Sequence, residues 1–225
     1  MAAGQAVDGV KEIVARHPEA AFGVHLCLDE VRPLTSNDAF KKAGALDEEG
    51  VFIKGWYKDM KPTPELTEAI YEEWHAQIAH VLSLGIAVSH LDSHHHAHNL
   101  PCLREVLLRL AEEFKIDKVR LPLFLPPRLR RQMVLSGSPV ESQKKKQNKI
   151  VKIVKYITGI RSKQNELNWM KRSFKTTDFF CHANNFLDNK ELLQRFATIE
   201  IMCHPGHPLY ERETESLLEF DFDGI

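Results

Sequence analysis

Residues 86–98 constrain this chain more than any other stretch. An apolar run, Ile86-Ala87-Val88, leads into Ser89-His90-Leu91-Asp92-Ser93-His94-His95-His96-Ala97-His98, and Asn99-Leu100-Pro101 then opens a helical pattern. Five of those ten residues are histidine, out of 12 histidines in 225 residues. The pattern sets the histidines where a strand gives way to a loop. In parallel α/β folds that is the face on which catalytic and metal-binding side chains collect. Neutral imidazole is a good ligand for divalent transition metals, and a nearby aspartate either ligates or orients a ring. The run is internal and interleaved with Leu, Asp and Ala, unlike an affinity tag. A solvated histidine-rich loop without metal is the plainer alternative.

The surrounding chain alternates strand and helix patterns. Ala21–Leu28 puts Phe22, Val24, Leu26 and Leu28 on one side and Gly23, His25 and Cys27 on the other, the period of a strand. His25 shares its face with two small residues, which leaves its ring room to meet a ligand, although a strand histidine is more often an ordinary core or surface residue. Thr63-Pro64 reads as an N-cap and first helical position, and Leu66, Ile70, Trp74, Ile78, Val81 and Leu82 recur at helical spacing until Gly85. Leu103–Phe114 reads as a further helix, Asp117–Leu121 as a short strand presenting Arg120, and residues 189–196 as a helix. Thr198–Cys203 reads as a strand that ends in His204-Pro205-Gly206-His207-Pro208. Helices are also expected over 5–16 and Glu211–Leu218. This rhythm predicts a parallel sheet with helical crossovers. Most of 37–63 reads as loop; its aromatics Phe52, Trp56 and Tyr57 either line a sugar pocket or tuck the loop onto the fold.

Composition narrows the function classes. Lys+Arg 30 against Asp+Glu 31 makes no global demand for a polyanionic partner. No apolar run approaches the roughly 20 residues that span a membrane, and no signal peptide is apparent. Cys27, Cys102, Cys181 and Cys203 are scattered and read as reduced thiols of a cytoplasmic protein. Residues 128–175 depart from the average, with fourteen Lys and Arg opposed only by Glu141 and Glu166. Ile150, Val151, Val154 and Ile157 suggest a basic amphipathic helix there. A patch for nucleic acid or another anionic polymer is one reading. A solvated basic insertion that packs outside the core is the preferred one, because stacking aromatics are sparse and no nucleic-acid motif is present.

His25, His94 and His204 each stand at or near the C-terminal end of a different expected strand. In a parallel barrel such ends converge on one face. A rim of this kind suits a hydrolase in which a metal activates water and another imidazole moves a proton. On the blocks AFGVHLCL (Ala21–Leu28) with Arg32-Pro33-Leu34, HLDSHHHAH (His90–His98), VRLP (Val119–Pro122), TDFF (Thr177–Phe180) and EIMCHPG (Glu200–Gly206), the sequence resembles the YdjC-like carbohydrate deacetylases, which include the chitooligosaccharide deacetylases. The blocks run in family order and cover most of the chain.

The resemblance implies a distorted TIM-like (β/α) barrel of the glycoside hydrolase/deacetylase type, forming a single domain over 1–225. It implies a metal-dependent hydrolase that removes acetyl groups from small N-acetylated sugars. In that family an aspartate of an N-terminal Asp-Asp motif and two histidines hold the metal, and the histidines match His25 and His94. His204 matches the family's general acid, which protonates the leaving amine. His98 stands at the His-x-x-x-His spacing from His94 that is seen in the more distant NodB-type deacetylases, which makes it a candidate further ligand. Asp92, His96 and Arg120 are candidates to orient ligands or touch substrate. The ion is zinc or magnesium, with manganese also open; two imidazoles favour a transition metal.

The family's first strand, with its Asp-Asp-Phe segment, has no match in this sequence, and the last strand and helix also lack a match. The expectation is therefore a barrel incomplete at both ends and a deacetylase impaired by truncation. The sheet edge beside the strand of His25 would be open to homodimer pairing. Asp29, near His25, and Asp92, near His94, are the carboxylates that stand closest to replace the family's aspartate. A catalytically inactive sugar-binding homologue and, less favoured, a basic-patch nucleic-acid binder are the competing functions.

Overall fold

The two parallel strand pairs define where the chemistry-bearing residues lie. In this computed structural model, the structure describes residues 9–133, 149–204 and 210–220. The chain divides into two compact units: residues 1–120 with 172–175, and residues 121–171 with 176–225.

In the first unit, helix α1 (Val10–Arg16) precedes strand β1 (Phe22–Leu26). After helices α2 (Asp38–Lys42) and α3 (Pro64–Ser83), strand β2 (Val88–Ser93) lies parallel to β1. Gly23 faces His90, Val24 faces Leu91, His25 faces Asp92 and Leu26 faces Ser93, with an irregularity between Phe22 and Gly23. Single parallel bridges, Leu91 to Val119 and Lys118 to Lys175, extend this pairing. The segment expected as a strand at Asp117–Leu121 thus pairs only through isolated bridges. Helix α4 (Arg104–Phe114) returns along α3 and buries Val106, Leu107 and Leu110.

Helix α3 follows from its sequence. The Thr63 hydroxyl accepts the Leu66 N–H at 3.2 Å, and Pro64, which has no N–H to satisfy, takes the first helical position. Leu66, Ile70, Trp74, Ile78 and Val81 form the buried stripe, and Gly85 leaves the helix at φ +81. Two polar residues, Glu73 and Gln77, are also fully buried on that stripe.

The stretch 37–63 is more ordered than a loop. It holds α2, a one-turn 3-10 helix over Trp56–Lys58 and an antiparallel bridge between Leu46 and Phe52. Phe40, Phe52 and Tyr57 are buried, and Phe52 stacks on Trp56 with ring centroids 6.0 Å apart. The Trp56 indole N–H donates to the Leu28 carbonyl at 2.6 Å. These aromatics form a small core that fastens the stretch behind β1.

In the second unit, strands β3 (Phe179–His182) and β4 (Ile199–Met202) are parallel, with Phe179 opposite Ile199 and His182 opposite Met202. Around them lie helices α5 (Pro127–Gln132), α6 (Lys149–Ser173, whose last two residues belong to the first unit), α7 (Ala183–Leu187), α8 (Lys190–Leu193) and α9 (Glu211–Leu218). Thr177–Phe180, which carries no clear strand period, therefore leads into a strand. The basic segment 128–175 is not excluded from the core along its length: Leu129 and Met133 pack with Phe179, Cys181, Phe186 and Leu193, and Met170 is fully buried. Its lysine-rich middle, Lys144 to Lys146, lies outside the described residues.

Among the described residues the sheets establish a mixed α/β fold with parallel pairing, which is coarser than the TIM-like barrel implied by the resemblance. No helix among them is long and apolar enough to cross a membrane.

Candidate metal centre and active site

The C-terminal end of β1 runs into Cys27-Leu28-Asp29-Glu30, and the C-terminal end of β2 runs into the histidines. Parallel pairing brings these two exits side by side. Asp29 is fully buried, which for a carboxylate demands partners. Its Oδ2 accepts from the Tyr57 hydroxyl at 3.2 Å and the Gly55 N–H at 3.3 Å, and lies 2.8 Å from His95 Nδ1. Burial first, and then the charge of Asp29, push the Tyr57 phenol up, so it stays protonated and donates. Its Oδ1 lies 3.9 Å from His94 Nε2.

Glu30 adds a second carboxylate at the mouth of this cluster. Its backbone is left-handed at φ +58. Its Oε2 lies 3.3 Å from His94 Nε2, while its Oε1 accepts from Lys54 at 2.8 Å. The Lys54 hydrogen bond, with that of His94, holds the Glu30 carboxyl below its usual range.

The turn after β2 gives the histidines their arrangement. His95 (φ 48) and His96 (φ 59) are consecutive left-handed residues within the short turn His94–Asn99. That conformation is uncommon for non-glycine residues. The His94 and His95 rings end up 3.9 Å apart. Burial, and then the charge of His95, hold His94 below the usual histidine value. The neutral form so favoured is the one that ligates metals. One ligand atom each from Asp29, His94 and His95 lie within 4.8 Å of one another, a cluster able to hold a metal ion.

His25 stands beside this cluster, its ring edge-on to His94 at 5.6 Å between centroids. His25 Nδ1 lies 2.9 Å from Asp92 Oδ2. A proton on Nδ1 donated to that carboxylate leaves the lone pair on Nε2. Arg120 also pairs with Asp92. Burial acts to raise the Asp92 pKa, but the His25 hydrogen bond and the charges of His25 and Arg120 outweigh it and hold the carboxyl below its usual range.

His98 occupies a different position from the one its spacing suggests. It is fully buried, and both ring nitrogens are taken: Nε2 lies 3.1 Å from the Arg120 carbonyl and Nδ1 2.6 Å from the Ser93 hydroxyl. Since a carbonyl only accepts, Nε2 carries the proton and Nδ1 accepts from Ser93. Burial pushes this imidazole down to about 4. His98 is thus a fastening of the β2 exit and not a further ligand. His96 is half-buried, its ring 6.4 Å from that of His98.

His204 lies in the second unit, just after β4. Its backbone N–H donates to the buried Glu213 carboxylate, its Nδ1 is 3.6 Å from Glu213 Oε1, and its ring stacks on Tyr210 at 4.4 Å. Burial, and then the charge of His204, hold nearby His182 below the usual histidine value.

Asp29 was one of the two carboxylates singled out as a substitute ligand, whereas His95 was not singled out as a ligand. Asp29 carries the same signal as the histidines, a polar residue just past the C-terminal end of a strand. Only the left-handed turn selects His95 from its neighbours, and no residue type at 95 or 96 announces that turn.

The family model described as YdjC-like protein matches residues 1–221. A carbohydrate deacetylase of Vibrio cholerae serotype O1 strain O395 is 30% identical over 209 residues, covering 89% of this chain and 64% of that protein. A carbohydrate deacetylase of Vibrio parahaemolyticus serotype O3:K6 is 33% identical over 202 residues, 87% of this chain and 61% of that protein. The chain therefore spans somewhat under two thirds of the length of these relatives. A crystal structure from Enterococcus faecalis V583, described in terms of cellobiose-phosphate cleavage, matches at TM-score 0.59 and 19% identity, over 94% of this chain and 71% of that one, which speaks for the fold alone. With a family model spanning nearly all of its residues, this chain belongs to the YdjC-like protein family.

Proposed function

We propose that this chain serves a metal-dependent carbohydrate deacetylase, which hydrolyses the acetamide of N-acetylated sugars of the chitooligosaccharide type to free amine and acetate. The observation that carries the reading is the convergence of Asp29, His94 and His95 at the paired exits of β1 and β2. Relatives over most of the chain are named carbohydrate deacetylases.

The donor set fits a divalent cation. Asp29 supplies a buried negative charge that Tyr57 and Gly55 aim, and His94 is biased to its neutral form. Asp29, His94 and His95 would hold the ion, with His25 beside them. Two imidazoles and one carboxylate suit zinc better than magnesium. Such an ion supplies a Lewis acid for the acetyl carbonyl and an acidified water.

The remaining roles belong to the chain itself. Asp92 and Arg120 fix the His25 ring, so that its Nε2 lone pair is available to a ligand or a proton. Glu30, partly exposed, is the carboxylate available to take the proton of the attacking water. His204 is the residue that the family resemblance offers as the acid that protonates the leaving amine. His96 is available for substrate contact. The parallel pairing in both sheets supports a TIM-like barrel, with residues 1–225 serving as one functional domain. Among the described residues Cys27, Cys102, Cys181 and Cys203 form no disulfide, which suits a cytoplasmic setting.

The test is metal analysis of the purified chain together with acetate release from diacetylchitobiose, with and without added zinc or magnesium. Metal-dependent acetate release that His94→Ala abolishes is the expected result. Sugar binding without acetate release under every metal condition would replace this reading with that of an inactive sugar-binding homologue.

A further inference from the structure

The donor-bearing segment after β1 is held at two points by one helix. Gln77, fully buried on α3, makes a paired contact with the backbone of Cys27: its Oε1 accepts the Cys27 N–H at 2.8 Å and its Nε2 donates to the Cys27 carbonyl at 2.8 Å. One helical turn away, fully buried Glu73 accepts the Leu34 N–H at 3.0 Å, the Thr35 N–H at 2.8 Å and the Thr35 hydroxyl at 2.6 Å. Gln77 Nε2 also donates to Glu73 Oε1 at 2.8 Å, tying the two contacts together. Asp29 and Glu30 lie between Cys27 and Leu34 and touch neither Glu73 nor Gln77 in these contacts.

A helix that needed only to pack would place apolar residues at these positions of its buried stripe. A buried carboxylate there carries a desolvation cost that its four donors must offset. We propose that Glu73 and Gln77 are positioning residues: they clamp Cys27 and Leu34-Thr35 so that the intervening turn presents Asp29 and Glu30 to His94 and His95. This deepens the metal-site reading and rests on it.

The experiment compares Gln77→Met and Glu73→Gln with Leu107→Ala, a substitution on the buried face of α4, which carries none of the donor residues. Cobalt(II) is titrated into each protein and followed by its visible absorption. Amide hydrogen exchange is followed at Glu30, whose N–H donates to the Phe52 carbonyl, and at Gly55, whose N–H donates to Asp29. The expected result is cobalt affinity weakened about 10–100-fold in both clamp variants, as for loss of an outer partner of a ligand. Glu30 and Gly55 should exchange faster in them, while Leu107→Ala lowers the unfolding midpoint and changes neither readout. Unchanged protection of Glu30 and Gly55 in both clamp variants overturns the proposal, and so does faster exchange with cobalt affinity equal to the parent's. A parent protein that binds no cobalt sinks the metal reading, and the exchange result then decides the clamp on its own.

Discussion

His25 and Asp92 are paired twice over, as opposite residues of two parallel strands and through their side chains, with Nδ1 of His25 2.9 Å from Oδ2 of Asp92. Arg120 meets the same carboxylate from outside the two strands. Three segments distant in sequence therefore share one nearly buried acid. Asp92→Ala removes a carboxylate partner of a guanidinium that is itself largely buried. The expected loss is about 3–5 kcal/mol of stability, measured by urea unfolding. A smaller loss in the double variant Asp92→Ala with Arg120→Met would trace the effect to the stranded cation; equal losses would refute that origin.

Asp29→Asn and His94→Ala are each expected to weaken divalent metal binding by more than the roughly 10–100-fold that removal of an outer partner costs, because they remove donors themselves. Isothermal titration with zinc reads the change. Variants that bind zinc like the parent would move the metal site elsewhere in the chain.

The buried imidazole of His98 makes folding depend on pH. Above its ordinary value of 6.5 the folded and unfolded chains are both neutral at this position. Between 6.5 and about 4 the unfolded chain takes up a proton that the folded chain refuses, so stability declines as pH falls through that window. The full decline is about 3 kcal/mol from this residue alone. Unfolding free energies of the parent and of His98→Gln, compared near pH 7 and near pH 4.5, should show the parent losing more. Parallel pH profiles would contradict the assignment.

Gly23 sits across from His90, and a Cβ built on it would come within 2.3 Å of the His90 ring. Gly23→Ala should force that ring off its Ser89 contact, at 2.8 Å, and cost about 1–3 kcal/mol. Combination with His90→Ala should recover most of the loss in a double-mutant cycle of melting temperatures; additive losses would show the strain to lie in the backbone instead.

Much of this molecule was legible in its sequence because the signals were periodic. The Thr63-Pro64 start of α3, its apolar stripe and the helix Glu211–Leu218 follow the expected spans closely. The alternation at Ala21–Leu28 and the histidine run located the two strand exits that form the cluster. Other features depended on tertiary contacts that leave no local period. Phe179-Phe180-Cys181 is an apolar run without alternation, and with His182 it forms a strand by pairing with Ile199–Met202. His98 looked like a ligand by spacing, yet burial beside Ser93 and Arg120 commits both of its nitrogens. Asp29 and His95 meet across two strand ends, a proximity fixed by pairing register and by a left-handed turn. Glu73 and Gln77 were visible only as polar residues on an apolar helix stripe, a pattern that carries meaning once their backbone partners are known.

The irregularity between Phe22 and Gly23 sets how much change this region tolerates in chain length. Across it β1 advances one residue while β2 advances two, since Phe22 faces Val88 and Gly23 faces His90. Regular pairing onward from Phe22 and Val88 would set His25 against Leu91 and leave the core residue Leu26 against Asp92. An irregular step of this kind re-aims every side chain beyond it. Ser89 is the extra residue of that step, so a chain lacking it would pair regularly and still set His25 against Asp92, whereas one further residue between Val88 and Asp92 would widen the irregularity or shift His25 onto a different partner. The number of positions between Val88 and Asp92 is thus part of the specification of the site, with one residue to spare over the span from Phe22 to His25 that it faces.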